Sequence, residues 1–162
     1  MPILIIKIKR QVMKMFKVRK IKPSDYEKID SIKQTLGITD DYLTNESIVA
    51  MVMIEDDEYK GFVSYQEVDE LSFVMDHLYT TQVFTDHQTK DLLFRSILNY
   101  GLMHGKIYAY AFAKTKVNFY TSYGFETIPK EKNDQLNKLM NHQYNIGYKI
   151  NITAFFNRPC DG

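Results

Sequence analysis

Cysteine occurs once in the 162 residues, at Cys160, so no intrachain disulfide can staple the fold. That usage fits a reducing compartment, and the expected location is the cytoplasm. No stretch approaches about 20 apolar residues, so no membrane span is expected. The apolar run at residues 3–6 is too short for a secretory signal and is followed by lysines in place of a small-residue cleavage site. Neither sign of charge is in excess: 21 Lys and Arg stand against 20 Asp and Glu. That balance removes the electrostatic case for a dedicated nucleic-acid binder. His77, His87, His104 and His142 show no paired spacing with cysteine or acidic residues, so no metal is expected. Neither a Gly-x-Ser-x-Gly nor a Walker motif occurs, and no glycine lies between residues 82 and 100, where a strand runs straight into a helix.

What is present patterns well. The segment "MFKVRKI" alternates Phe16, Val18 and Ile21 with basic residues, as a half-buried strand does. Residues 1–14 are expected to be an appendage, with residues 15–162 as a single domain. Ser24 and Glu27 have capping-box spacing ahead of a helical stripe of Tyr26, Ile29, Ile32 and Leu36, which Gly37 closes. Three strands follow, at 47–56, 60–68 and 71–84, with "DDEY" as the first turn. Leu93, Phe94, Ile97, Leu98, Gly101 and Leu102 stripe the next helix. A strand at 106–113, a short helix within 114–124 and the stub "FETIP" come next. "KEKNDQLNKLMNHQ" reads as a short helix or a loop. Tyr144, Ile146, Tyr148, Ile150, Ile152 and Ala154 alternate without a break, which predicts a last strand over 144–154.

A meander followed by strand–helix–strand predicts an α/β (α+β) fold: a mixed, mostly antiparallel sheet with helices on both faces. The crossover should pair 71–84 with 106–113 in parallel, right-handed.

Three pieces of this sequence resemble the GNAT superfamily of N-acetyltransferases. They are "FKVRKIKPSDYEKI", where a basic strand meets an Asp at a helix start, "SIVAMVMIEDDEYKGFVSYQ", and "NFYTSYGFETIP". The last is the most specific and is similar to the family's Phe-Tyr-x-x-x-Gly-Phe, here Phe119, Tyr120, Gly124 and Phe125. The resemblance spans about residues 15–156. It implies transfer of an acetyl group from acetyl-CoA to an amine, on a small molecule or a protein. It also implies that Tyr120 is the acid for the departing thiolate. Cofactor contacts would fall at Val83 and Phe84 in the fourth strand and at Gln88, Thr89, Lys90, Asp91 and Leu92 in the pyrophosphate loop.

The loop departs from the family pattern of Arg/Gln-x-x-Gly-x-Gly/Ala. With Gln88 in the first position, Asp91 and Leu93 take the small-residue positions. A helix N-terminus is a ready anion site, yet Thr85 and Gln88 form a second capping-box pattern that would satisfy the same N–H groups. The alternative reading is therefore a catalytically silent protein of the same fold, acting as a binding or regulatory module. By strand alternation Asp76 and His77 should point to opposite faces, with His77 beside Leu71, Phe73 and Met75. An exposed C-terminal strand could pair two copies as a homodimer.

Overall fold

A computed structural model describes residues 16–37, 46–80 and 86–157. In chain order these form β1 (Phe16–Lys20), a 3-10 turn (Pro23–Asp25), α1 (Tyr26–Leu36), β2 (Ile48–Glu55), β3 (Glu58–Glu67), β4 (Ser72–Thr80) and α2 (Asp86–Met103). There follow β5 (Tyr108–Ala113), α3 (Asn118–Ser122), β6 (Glu126–Thr127), α4 (Lys130–Met140), β7 (Ile146–Asn151) and α5 (Ile152–Phe156). The seven strands make one sheet in the order β1-β2-β3-β4-β5-β7-β6. Every neighbouring pair is antiparallel except β4 and β5, which run parallel as expected of a strand–helix–strand crossover. The appendage expected at residues 1–14 lies outside the described residues. No helix among the described residues is long and apolar enough to cross a membrane.

The sheet is covered on both faces, which is why β2 is apolar at successive positions. Val49, Met51 and Met53 join the main core under α2, while Ile48, Ala50 and Val52 pack with Ile29 of α1. The β2–β3 turn holds Asp56 and Asp57 at φ 50° and 66°, a left-handed pair that matches the twist of a two-residue hairpin and that Asp tolerates. α2 lies close on β4: a Cβ at Gly101 would stand 2.4 Å from Phe73 Cε1. Glycine is therefore required inside this helix despite its poor propensity.

Two expectations change and one alternative is settled. The 3-10 turn precedes α1, and Asp25 does the capping expected of Ser24 and Glu27: its Oδ2 accepts from Lys22 N at 2.9 Å. The segment 130–140 is a helix, docked by Leu136 on Val74 and Tyr110. The last strand stops at Asn151, whose side chain accepts from Ala154 N at 3.0 Å and starts α5. An N-cap side chain thus ends an alternation that local pattern alone would continue.

Candidate active site

The parallel pairing of β4 and β5 covers three residue pairs, Ser72 with Tyr108, Phe73 with Ala109 and Val74 with Tyr110. Beyond them β5 stays on β7 as far as Ala113 opposite Ile146, and β4 stays on β3 as far as Thr80 opposite Gly61. The two strands therefore part. From Met75 on, no strand among the described residues lies beside β4 on the β5 side. Such a gap presents main-chain polar groups to an extended, amide-bearing ligand, as a sheet edge does to a peptide.

The cause is visible in β4. Val63 pairs with Leu78 and Tyr65 with Met75, so two steps of β3 face three of β4. The extra residue is a β-bulge at Asp76 and His77, which bends the strand and raises its twist. Met75 and Leu78 both stay with the main core, so Asp76 and His77 together turn to the α4 face. His77 Nε2 lies 3.4 Å from Asp76 Oδ2. The alternation that set these two on opposite faces fails at the bulge.

Tyr120 lies in α3, the short helix that comes after β5 in the chain. α3 begins after four intervening residues and is closed by Gly124 at φ 93°, which lets Phe125 turn into the core at 3% exposure. Phe125 N donates to Tyr120 O at 3.1 Å. The Tyr120 ring rests against Phe125 at 5.4 Å and Tyr148 at 5.3 Å between centroids. Burial first, then the neighbouring Tyr144 and Tyr148, push its phenol up to about 12, so it stays protonated at neutral pH.

α4 closes the opposite face. It sits between β6 and β7, and an αL residue at Asn141, φ 55°, ends it. His142 then folds back, its N donating to Asn137 O at 3.0 Å. The His142 ring meets Phe112 of β5 at 4.8 Å and Tyr144 at 4.7 Å, and it feels the charge of Asp76 across the gap. No spacing in the sequence announces this meeting, because it depends on α4 folding over the sheet.

The expected cofactor residues divide. Val83 and Phe84 lie outside the described residues. Gln88 and Thr89 fall at the start of α2. Lys90 is half-buried, and Leu92 packs at the margin of the main core. Asp91 is engaged elsewhere. Tyr123 donates to its carboxylate, and Arg95 Nε contacts both carboxylate oxygens at 3.0 Å. This carboxylate ties α2 to the end of α3. Among the described residues no group of His, Cys, Asp and Glu could hold a metal ion. A second hollow, about 580 Å³, lies at the β6–β7 edge between Tyr108, Glu126 and Lys149, and contains none of Tyr120, Asp76, His77 or His142.

No family model matches the sequence, and no curated protein matches it. Solved structures do match. A GNAT-family acetyltransferase from Staphylococcus aureus Mu50 superposes with a TM-score of 0.65 at 13% identity, over 85% of this chain and 99% of that one. The PaiA N-acetyltransferase of Thermoplasma acidophilum, in complex with coenzyme A, gives 0.62 at 14% identity over 85% and 99%. The N-acetylglutamate synthase of Neisseria gonorrhoeae, complexed with coenzyme A and N-acetyl-glutamate, gives 0.69 at 12% identity, over 85% of this chain and 35% of that one. The sheet order, the parting of β4 from β5 and these superpositions agree: the chain has the fold of the GNAT acetyltransferases.

Proposed function

We propose that the protein is an N-acetyltransferase that uses acetyl-CoA and an amine, on a small molecule or a protein. The observation that carries the reading is the gap beyond Val74 and Tyr110, with the half-buried, protonated phenol of Tyr120 in the short helix that follows β5. The solved neighbours that hold coenzyme A support it through their shared fold. The residues fit such a ligand at the gap, where β4 has main-chain groups to offer an extended pantetheine-like chain. The start of α2, at Gln88, Thr89 and Lys90, is the helix N-terminus that follows β4 in the chain and would hold an anion.

Acetyl-CoA, when bound, supplies the acetyl group as an activated thioester. The chain's part is to orient and to move protons. Tyr120 holds the proton that the leaving sulfur needs. Its partial burial limits water around the phenol and keeps that proton in place until the sulfur would need it. Phe112 and Tyr144 wall the α4 side.

The glycine-free entry to α2 favours the second reading, a silent binding protein. A thiol-release assay separates the two. With acetyl-CoA and a panel of tyramine, spermidine, lysine and an unacetylated peptide, at least one amine should release CoA thiol in proportion to protein. Release at the no-enzyme rate with every amine would leave the silent reading.

A further inference from the structure

We infer that the turn after α4 supplies a second catalytic residue: His142, oriented by Asn137, takes the proton from the acceptor amine. The inference rests on the acetyl-transfer reading above. Asn137 is fixed by one residue's backbone, since its Nδ2 donates to Tyr144 O at 2.9 Å and its Oδ1 accepts from Tyr144 N at 3.0 Å. That pairing identifies Oδ1 as the acceptor end of the amide. His142 Nδ1, 2.6 Å from the same oxygen, must then carry the proton. Nε2 is left as the lone-pair nitrogen, the form in which an imidazole accepts a proton.

The ring's neighbours place it over the gap. Phe112 and Asp76 each lie two residues past the last β4–β5 pair, one on each strand, and both act on His142. The charged and titratable groups around it are Asp76 from β4, which His77 in turn contacts, Tyr144 from its own turn, and Lys138 along the outer rim of α4. Burial lowers the imidazole pKa below its ordinary value, and Asp76 raises it by less. The ring is therefore neutral at pH 7 and ready to accept. Tyr144 lies against His142 and also contributes to the raised phenol of Tyr120, so acid and base flank one end of β5 and β7.

The protons balance. As the amine nitrogen bonds to the acetyl carbon, one N–H proton passes to His142 Nε2. The carbon–sulfur bond breaks with its electron pair on sulfur, and Tyr120 gives its phenolic proton there. The proton on His142 returns to Tyr120 through solvent, and the net change is amine plus thioester to amide plus thiol. Asn137 is a positioning residue, acting through the imidazole.

The test is long-range 15N–1H correlation on the labelled full chain, which reads imidazole tautomers directly. At neutral pH His142 should be the Nδ1–H form, and Asn137→Ala should mix the tautomers. Adding CoA should move the resonances of His142, Phe112 and Tyr120. With the panel amine turned over fastest, His142→Gln should slow acetylation by about 100-fold and remove the acid limb of the pH profile, with CoA affinity unchanged. An Nε2–H tautomer in the unmutated chain overturns the role. So does a His142→Gln rate and pH profile equal to the parent's. If Phe112 and Tyr120 respond to CoA and His142 does not, this role alone falls; if none responds, the acetyl-transfer reading falls with it.

Discussion

Replacing Tyr120 with phenylalanine should lower acetyl transfer by about 100-fold, the low end of what a positioned proton donor contributes. The change removes one oxygen and leaves the ring, which is held by Phe119, Phe125 and Tyr148 with centroids 5.3–5.5 Å away. The fold should therefore hold, and CoA affinity should not change, because the phenol acts on sulfur only as the bond breaks. Tyr123→Phe is the control. Its hydroxyl is taken by Asp91 and has no part in the proposed proton transfer, so its loss should soften the α2–α3 contact without slowing the reaction in the same degree. Steady-state rates for the two variants, with folding checked by circular dichroism, decide the matter. A Tyr120→Phe enzyme as fast as the parent would reduce Tyr120 to a packing residue.

Asp25→Ala should destabilise the protein by about 3 kcal/mol, the cost of leaving a partly buried cation without its partner. Asp25 is fully buried and carries four interactions. Arg19 donates to it through two nitrogens at 2.6 and 2.7 Å, Tyr59 OH donates to Oδ1, and Lys22 N donates to Oδ2. These tie β1, the start of α1 and β3 together. Arg19 keeps 21% exposure, so water recovers part of the loss, which holds the figure at the lower end of the range for buried pairs. The hydrogen bonds from Arg19 come first in holding the Asp25 carboxyl well below its ordinary value. A lowered folded pKa means stability that is full above the unfolded value, about 3.9, and is lost progressively as pH falls from there through the folded value. Urea titrations at neutral pH and near pH 3 should show the parent losing part of this contribution in acid and Asp25→Asn losing less between the two. Equal acid sensitivity in parent and variant would show that other carboxylates carry the acid limb.

Both residues bear on what sequence can disclose. Tyr120 sits in a stretch whose order, Phe-Tyr-x-x-x-Gly-Phe, already fixes its conformation: Gly124 takes the left-handed turn and Phe125 the core. Asp25 follows a basic strand in the same local way, and Arg19 meets it six residues away. Sheet order was also within reach, since alternation, turns and crossover handedness are local or nearly so. Three features escaped. The β4 bulge comes from pairing between β3 and β4, so strict alternation misassigned His77. Asn151 ends β7 through a cap that a longer apolar alternation masks. His142 reaches the gap because α4, a mostly polar helix, folds over Val74, Tyr110 and Phe112. Asp91 is a like case: its partner Tyr123 meets it only once α3 packs on α2, which no local pattern announces.

The central claim is that the parted strands hold CoA despite an entry to α2 without glycine. Isothermal titration of the full chain with CoA tests it most directly. The account predicts saturable 1:1 binding at micromolar to sub-millimolar ligand, with a negative heat-capacity change from burying the pantetheine arm between β4 and β5. No heat of binding at millimolar CoA would contradict it.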